Sequence, residues 1–265
     1  MPQTRRNANR HRAKANHAAP LFAVHCAEKK RGESLPLHAH EEGQLTYAAS
    51  GTVQIHTEAG VWLVPPQLAA WVPAGVLHRL ETLTDAELWM VHWRPEALQA
   101  WGDGASLERP FALRVTPLLR ALLRESATMN LAADKAELVV RLMLHDLMAM
   151  PDAPTFLPWP TSEVGKRVAD LALADTGQFL GLAELALRAA TSARSVTRLF
   201  PKETGLTLKA WRQRARIVRA MELLSCGNPL SSVAHDTGFA STAAFSTAFR
   251  QVTSLTPTAF VAGGG

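Results

Sequence analysis

The stretches LAELALRAATSARSVTRLF (182–200) and LSSVAHDTGFASTAAFSTAF (230–249) are two versions of one pattern, and they decide the fold of the C-terminal third. Leu185 and Ala186 correspond to Val233 and Ala234 at an offset of 48, and Ser192, Val196 and Phe200 to Ser241, Phe245 and Phe249 at an offset of 49. The change of offset puts one extra residue into the second turn, around Gly238-Phe239. Each copy reads as a helix, a tight turn holding a small residue, and a second helix opened by a serine N-cap, whose hydroxyl accepts a backbone N–H that the helix leaves unpaired. Small alanines let the two helices of a copy approach closely. Leu199, Phe200, Phe245 and Phe249 are expected in the core, and Pro201 is expected to end its helix.

Between the copies, TLKAWRQRARIVRAMELLS (207–225) has neither Gly nor Pro, with Thr207 placed to cap it. About 20 helical residues span roughly 30 Å, close to the ~34 Å of one turn of B-DNA. A rigid helix of that length can hold two further helices in successive major grooves. Arg212, Arg214, Arg216 and Arg219 are expected to reach the intervening phosphates.

The run SARSVTRLFPKETGLT (192–207), followed by GFASTAAFSTAFRQVTSLTPTAF (238–260), resembles the AraC/XylS family of transcription regulators. The resemblance covers about 100 residues and implies an all-helical DNA-binding domain over 161–262, with helix-turn-helix units near 180–200 and 228–250. Carried over by position, it implies Arg194, Ser195, Thr197 and Arg198 as DNA-contacting residues of the first recognition helix. Thr242, Ala243, Ser246 and Thr247 take that role in the second. Arginine suits guanine O6 and N7, whereas Ser and Thr are adaptable. The second helix carries no charge before Arg250, so the two copies are chemically unequal.

Upstream, residues 21–94 alternate apolar and polar residues in short runs. Gln44–Ala49, Val53–Thr57 and Val61–Val64 read as strands, Trp71–Pro73 and Leu88–Trp93 continue the pattern, and Ser50-Gly51 and Ala59-Gly60 read as turns. The spacing of Gly32, His38, His40, Gln44 and Gly51 is similar to the first cupin motif, and that of Pro73, Gly75 and His78 to the second. Residues two apart in a strand share a face, so His38 and His40 can point the same way. The resemblance implies that His78 arrives from an opposite strand, and that His38, His40, Gln44 and His78 form an effector site able to hold a divalent metal. Metal-binding cupins carry Glu where this chain has Gln44, which leaves the site one negative charge short. His56 and His92 lack a motif partner and read as ordinary strand residues. Leu45, Tyr47, Trp62, Trp71, Trp89 and Trp93 read as the apolar lining.

Helical spacing follows over 114–127 and 134–150, with apolar stripes at Leu118, Leu119, Leu122 and Leu123 and at Leu138, Val139, Leu142, Met143 and Leu147. Four prolines in Pro151–Pro160 mark the domain boundary. The expectation is an α+β chain of two domains. It has a disordered basic tail (1–19), a cupin-like sensor barrel (20–98), a helical dimerisation or linker region (99–152) and the DNA-binding domain.

Composition narrows the function. With 265 residues and 47% hydrophobic content the chain can bury two cores. Cys26 and Cys226 stand alone, one in each predicted domain, and suit a reducing compartment. No apolar run approaches the ~18 residues of a membrane span and no apolar stretch follows the basic start, so a cytoplasmic location is expected. The net charge of +5 is unevenly spread: the middle is acidic, while residues 161–265 are basic. Only the last third is suited to a polyanion. Neither a nucleophile elbow nor a phosphate loop is present. The leading expectation is a sequence-specific regulator of promoter DNA, acting as a homodimer, controlled by a small-molecule effector and able to contact RNA polymerase. The rival is a metal-dependent cupin enzyme, and the third candidate an architectural protein with an inert barrel.

Overall fold

Residues 43–48 are buried without interruption, which a strand achieves only if both of its faces are covered. One face of this strand closes a sheet interior and the other lies under helices. The computed structural model describes residues 20–102, 107–128, 132–149, 153, 156–175, 177, 179–253 and 255–262. The basic tail 1–19 lies outside the described residues.

The N-terminal strands are β1 (Phe22–Lys29), β2 (Ser34–His38), β3 (Gly43–Ser50), β4 (Val53–Thr57), β5 (Gly60–Val64), β6 (Leu68–Val72), β7 (His78–Thr82) and β8 (Ala86–Trp93). Helix α1 (Pro95–Trp101), β9 (Phe111–Arg114), α2 (Pro117–Ser126), α3 (Ala133–Ala149) and β10 (Phe156–Pro158) follow. Two antiparallel sheets form, in the orders β1-β8-β3-β6-β9 and β10-β5-β4-β7-β2. Between them lie Ala48, Ala70, Val72 and Leu88 from the first sheet and Ile55, Trp62 and Leu80 from the second. Leu45, Tyr47, Trp71 and Trp93 point the other way, into a second core with Leu119, Leu123, Val140, Met143 and Leu144 of α2 and α3. These four residues, expected to line the barrel, instead bind the helical layer to its outside. The period-2 alternation is present, but its inward side is inverted. The polar ends of these rings are satisfied: Trp93 Nε1 donates to the Val140 carbonyl at 3.3 Å and Tyr47 accepts from Arg120 at 2.6 Å.

The C-terminal helices are α4 (Glu163–Ala174), α5 (Leu182–Arg188), α6 (Ala193–Thr204), α7 (Leu208–Ser225), α8 (Leu230–Asp236), α9 (Thr242–Thr253) and α10 (Pro257–Ala262). Together the sheets and helices make an α+β chain, β-rich first and helical second. The Ser192, Ser241 and Thr207 hydroxyls cap α6, α9 and α7, accepting from Ser195, Ala244 and Ala210 N–H. The two helix-turn-helix turns are equivalent in their bonding: Thr191 N–H donates to Ala186, and Phe239 N–H to Ala234, both at 2.9 Å. The left-handed residue is Gly238 in the second turn (φ 71°) but Ala190 in the first (φ 54°), a conformation that costs alanine about 1 kcal/mol. Pro201 lies inside α6 instead of ending it. Phe200 is fully buried beside it, and the left-handed Gly205 (φ 71°) closes the helix four residues later. Packing and this C-cap therefore outweigh the one hydrogen bond that proline removes.

The proline-rich boundary is also strand, because β10 adds to the edge of the second sheet. Phe156 pairs with Trp62 and Pro158 with Gly60, and the Phe156 and Trp62 rings stack at 4.1 Å. A Cβ on Gly60 would come within 2.3 Å of the Leu157 carbonyl oxygen and 2.4 Å of the Phe156 ring. Only glycine therefore admits the strand. The other face of this segment meets α7, where Trp211 Nε1 donates to the Pro158 carbonyl at 2.6 Å. Further bonds join the two halves: Gln67 donates to the Phe260 carbonyl, and Arg114 to the Thr253 carbonyl, both at 2.7 Å. Among the described residues no helix is long and apolar enough to cross a membrane.

Candidate functional site

On α6, Arg194, Thr197 and Arg198 are exposed and Ser195 is half-buried, while Val196 and Phe200 on the opposite face are core. Neither Arg194 nor Arg198 has a hydrogen bond or ion pair among the described residues. Thr197 donates its hydroxyl to the Ala193 carbonyl at 2.9 Å, leaving its lone pairs outward. On α9, Thr242, Ala243 and Thr247 are exposed and Ser246 is half-buried, above the core residues Phe245 and Phe249. Both sets of expected readers thus share the solvent face of their helices.

The arginines of α7 are placed differently from the expectation. Arg212 pairs with the buried carboxylate of Asp175 at 2.6 Å and donates to the Leu180 carbonyl at 2.8 Å. Arg214 donates to the Phe156 carbonyl at 3.4 Å. Arg216 donates to the Thr237 carbonyl at 2.6 Å and lies 3.6 Å above the Phe239 ring. Arg219 alone is exposed, bonded to Glu222 at 2.8 Å. Three of the four therefore bind the protein to itself, since half-buried guanidinium groups must satisfy their donors locally. The free cations near the recognition helices are Lys202, Lys209 and Arg250, which make no ion pair among the described residues.

The second candidate site lies where β2 and β7 meet, with His38 opposite His78 in register. One ring nitrogen from each of His38, His40 and His78 lies within 4.8 Å of the others. Each ring also uses Nδ1 locally. His38 donates to the Pro36 carbonyl at 2.8 Å, His40 to Glu42 at 2.7 Å and His78 to Val76 at 2.9 Å. A backbone carbonyl only accepts, so each Nδ1 holds its proton, and in the neutral form of each ring the lone pair is on Nε2. The buried His78 Nε2 has no hydrogen-bond partner.

His92, read as an ordinary strand residue, belongs to this cluster. It sits directly opposite Gln44 across β3 and β8, and its ring is 5.3 Å from that of His40 and 5.1 Å from His25. The alternation of β8 puts His92 on the face of the interior Leu88, but its place beside Gln44 depends on the β3–β8 register. Burial, together with the nearby His40, pushes its pKa down to about 4, so the ring is neutral at physiological pH. Burial likewise lowers the pKa of His78. The Gln44 amide is in contact with His40 Nε2 (2.5 Å), His92 Nε2 (3.1 Å) and Thr46 Oγ1 (2.7 Å). With His40 Nε2 as an acceptor, the amide is turned so that its NH₂ donates to both imidazoles and its oxygen accepts from Thr46, which leaves the buried His92 Nδ1 proton without an acceptor.

Both halves match known families. A family model described as an AraC-like ligand binding domain covers residues 22–148, and one described as a helix-turn-helix domain covers 185–263, so that together they span most of the chain. The chain belongs to the AraC family of regulators. AraC-type regulators bind DNA through the helical unit and carry a ligand-binding domain, and this chain has both parts. It is 29% identical over 262 residues to the HTH-type transcriptional regulator NimR of Escherichia coli K12, covering 97% of this chain and 93% of that one. It is 34% identical over 106 residues to the HTH-type transcriptional regulator RipA of Corynebacterium glutamicum, across 40% of this chain and 32% of that one. A structure of ToxT from Vibrio cholerae aligns with 91% of this chain and 98% of its own at 11% identity, with a TM-score of 0.40, too loose a likeness to carry weight.

Proposed function

We propose that this AraC-family regulator reads its operator mainly through Arg194 and Arg198, and that it senses its effector at the histidine cluster. The carrying observation is the set of three imidazoles whose Nδ1 protons are all committed to backbone carbonyls. Metal-binding histidines are commonly oriented in this way, because the second-shell bond fixes the tautomer and aims the other nitrogen. The donor set fits a divalent cation held by His38, His40 and His78, which would supply a Lewis-acidic centre for an anionic or oxygen-bearing effector. Gln44 serves two states. Without a cation its amide bonds His40 Nε2 and His92 Nε2. With one, turning it through its terminal torsion offers the oxygen as a fourth, neutral ligand. An enzymatic role is not favoured, since the cluster offers no carboxylate for acid–base work.

The test is titration with Zn(II) and Ni(II), paired with a reporter assay in cells. The wild type is expected to bind one ion per chain, and His38→Ala with His40→Ala to lose that binding while retaining DNA affinity in vitro. The double variant is also expected to fix the reporter in one state. A double variant that still responds to inducer would place sensing elsewhere.

The same regulator is proposed to act as a homodimer through α2 and α3. Leu118, Leu138 and Leu142 are 51%, 67% and 45% exposed there, although the helices already bury Leu119, Leu123, Val140 and Met143 against the sheet. Three exposed leucines on one helical layer favour a self-complementary contact. Leu138→Glu with Leu142→Glu is expected to convert a dimer to a monomer in sedimentation at micromolar concentration, with melting unchanged. A wild type that sediments as a monomer would refute the dimer. RNA polymerase is a further partner that a DNA-bound regulator of this kind can contact.

A further inference from the structure

A cavity of about 530 Å³ lies between the sheet edge and the helical domain, away from the histidine cluster. Its walls come from both halves: β4 and β5 on one side, the β10 segment, and α4 and α7 on the other. Val61, Leu157, Trp159, Leu173 and Val218 make most of it apolar. The volume is within the roughly 300–1,000 Å³ of small-molecule sites, which occur preferentially at domain interfaces.

The polar groups identify the class of occupant. Two of the lining carboxylates are already matched, Asp175 by Arg212 at 2.6 Å and Glu222 by Arg219 at 2.8 Å. Glu222 also accepts from Gln54 across the domain boundary. The third lining arginine, Arg216, is spent on the Thr237 carbonyl and the Phe239 ring, and the third acid, Asp236, accepts from Ser232 at 3.3 Å. The three lining acids and three lining arginines balance, so the wall carries no net charge to select an ionic ligand. Two buried donors remain without an acceptor. One is Arg212 Nε. The other is His56 Nε2: Arg79 donates toward His56 Nδ1 at 3.4 Å, which puts the ring proton on Nε2, where Glu81 at 3.6 Å is beyond hydrogen-bond reach.

We infer that this cavity is a second ligand site, taking an uncharged, largely apolar small molecule. Such a ligand touches the sheet and α7 together, so its occupancy bears on the placement of the recognition helices that α7 separates.

The test uses the full chain and the uncharged fluorophore N-phenylnaphthylamine, titrated while following its emission. The wild type is expected to bind saturably. Val61→Trp and Leu173→Trp, which fill the cavity from opposite walls at half-buried and exposed positions, are each expected to weaken binding at least about tenfold with melting unchanged. His38→Ala with His40→Ala is expected to bind the probe as the wild type does, which separates this site from the histidine cluster. Absence of saturable binding by the wild type would overturn the assignment. So would unchanged binding by both tryptophan variants, or loss of binding in the histidine variant.

Discussion

Replacing Arg194 and Arg198 together by alanine is expected to abolish selective DNA binding while leaving the helical domain folded. Both side chains are exposed on α6 and make no hydrogen bond or ion pair among the described residues, so their loss removes no internal contact. A bidentate arginine–guanine pair contributes about 1–3 kcal/mol of discrimination. Two such losses amount to about thirtyfold or more, at about tenfold for each 1.4 kcal/mol. Thr247→Ala on α9 is expected to change affinity only a few-fold, because that helix presents hydroxyls and methyls in place of guanidinium groups. The measurement is affinity at fixed salt for DNA selected from a random pool by the wild type. Equal losses from the two helices would refute the unequal division of reading.

Trp211→Ala is expected to have the largest effect on stability. Trp211 is fully buried, edge-on to both Trp159 (5.9 Å) and Phe200 (5.7 Å), and its Nε1 bonds the Pro158 carbonyl. Truncating a buried aromatic to alanine costs about 3–5 kcal/mol, against a total of about 5–15 kcal/mol for a typical domain. Circular dichroism is expected to show an early loss of helix, with the sheet signal persisting to higher temperature. Trp89→Ala, at a half-buried position on β8, is the control and is expected to shift the transition little. A Trp211→Ala protein that melts like the wild type would show that α7 is held chiefly by other contacts.

Long amphipathic helices and fixed motif spacings were legible in the sequence. Helices α7 and α9 declare themselves by period and cap. His38, His40 and His78 declare themselves by interval, and the strands Val53–Thr57 and Val61–Val64 by alternation. What escaped is set by partners distant in the chain. His92 enters the cluster only because β8 pairs with β3 in a register that sets it against Gln44. Arg212, Arg214 and Arg216 look like a phosphate-binding row until Asp175, Phe156 and Thr237 are seen to take their donors. Strand β1 escaped because its edge position leaves both faces partly exposed, and β10 because prolines advertise a turn. Pro158 is tolerated because it stands on a sheet edge, where a missing N–H need not break a ladder.

The small strand β10 changes what kind of joint connects the two halves. A linker of free coil can be lengthened at little entropic cost, since closure entropy grows only slowly with length. Here the same few residues present Phe156 to Trp62 on one side and the Pro158 carbonyl and Trp159 to Trp211 on the other. A strand alternates its faces with every residue, so one inserted amino acid would exchange those two sides. The joint therefore counts residues: inserting two keeps each contact on its side, and inserting one exchanges them.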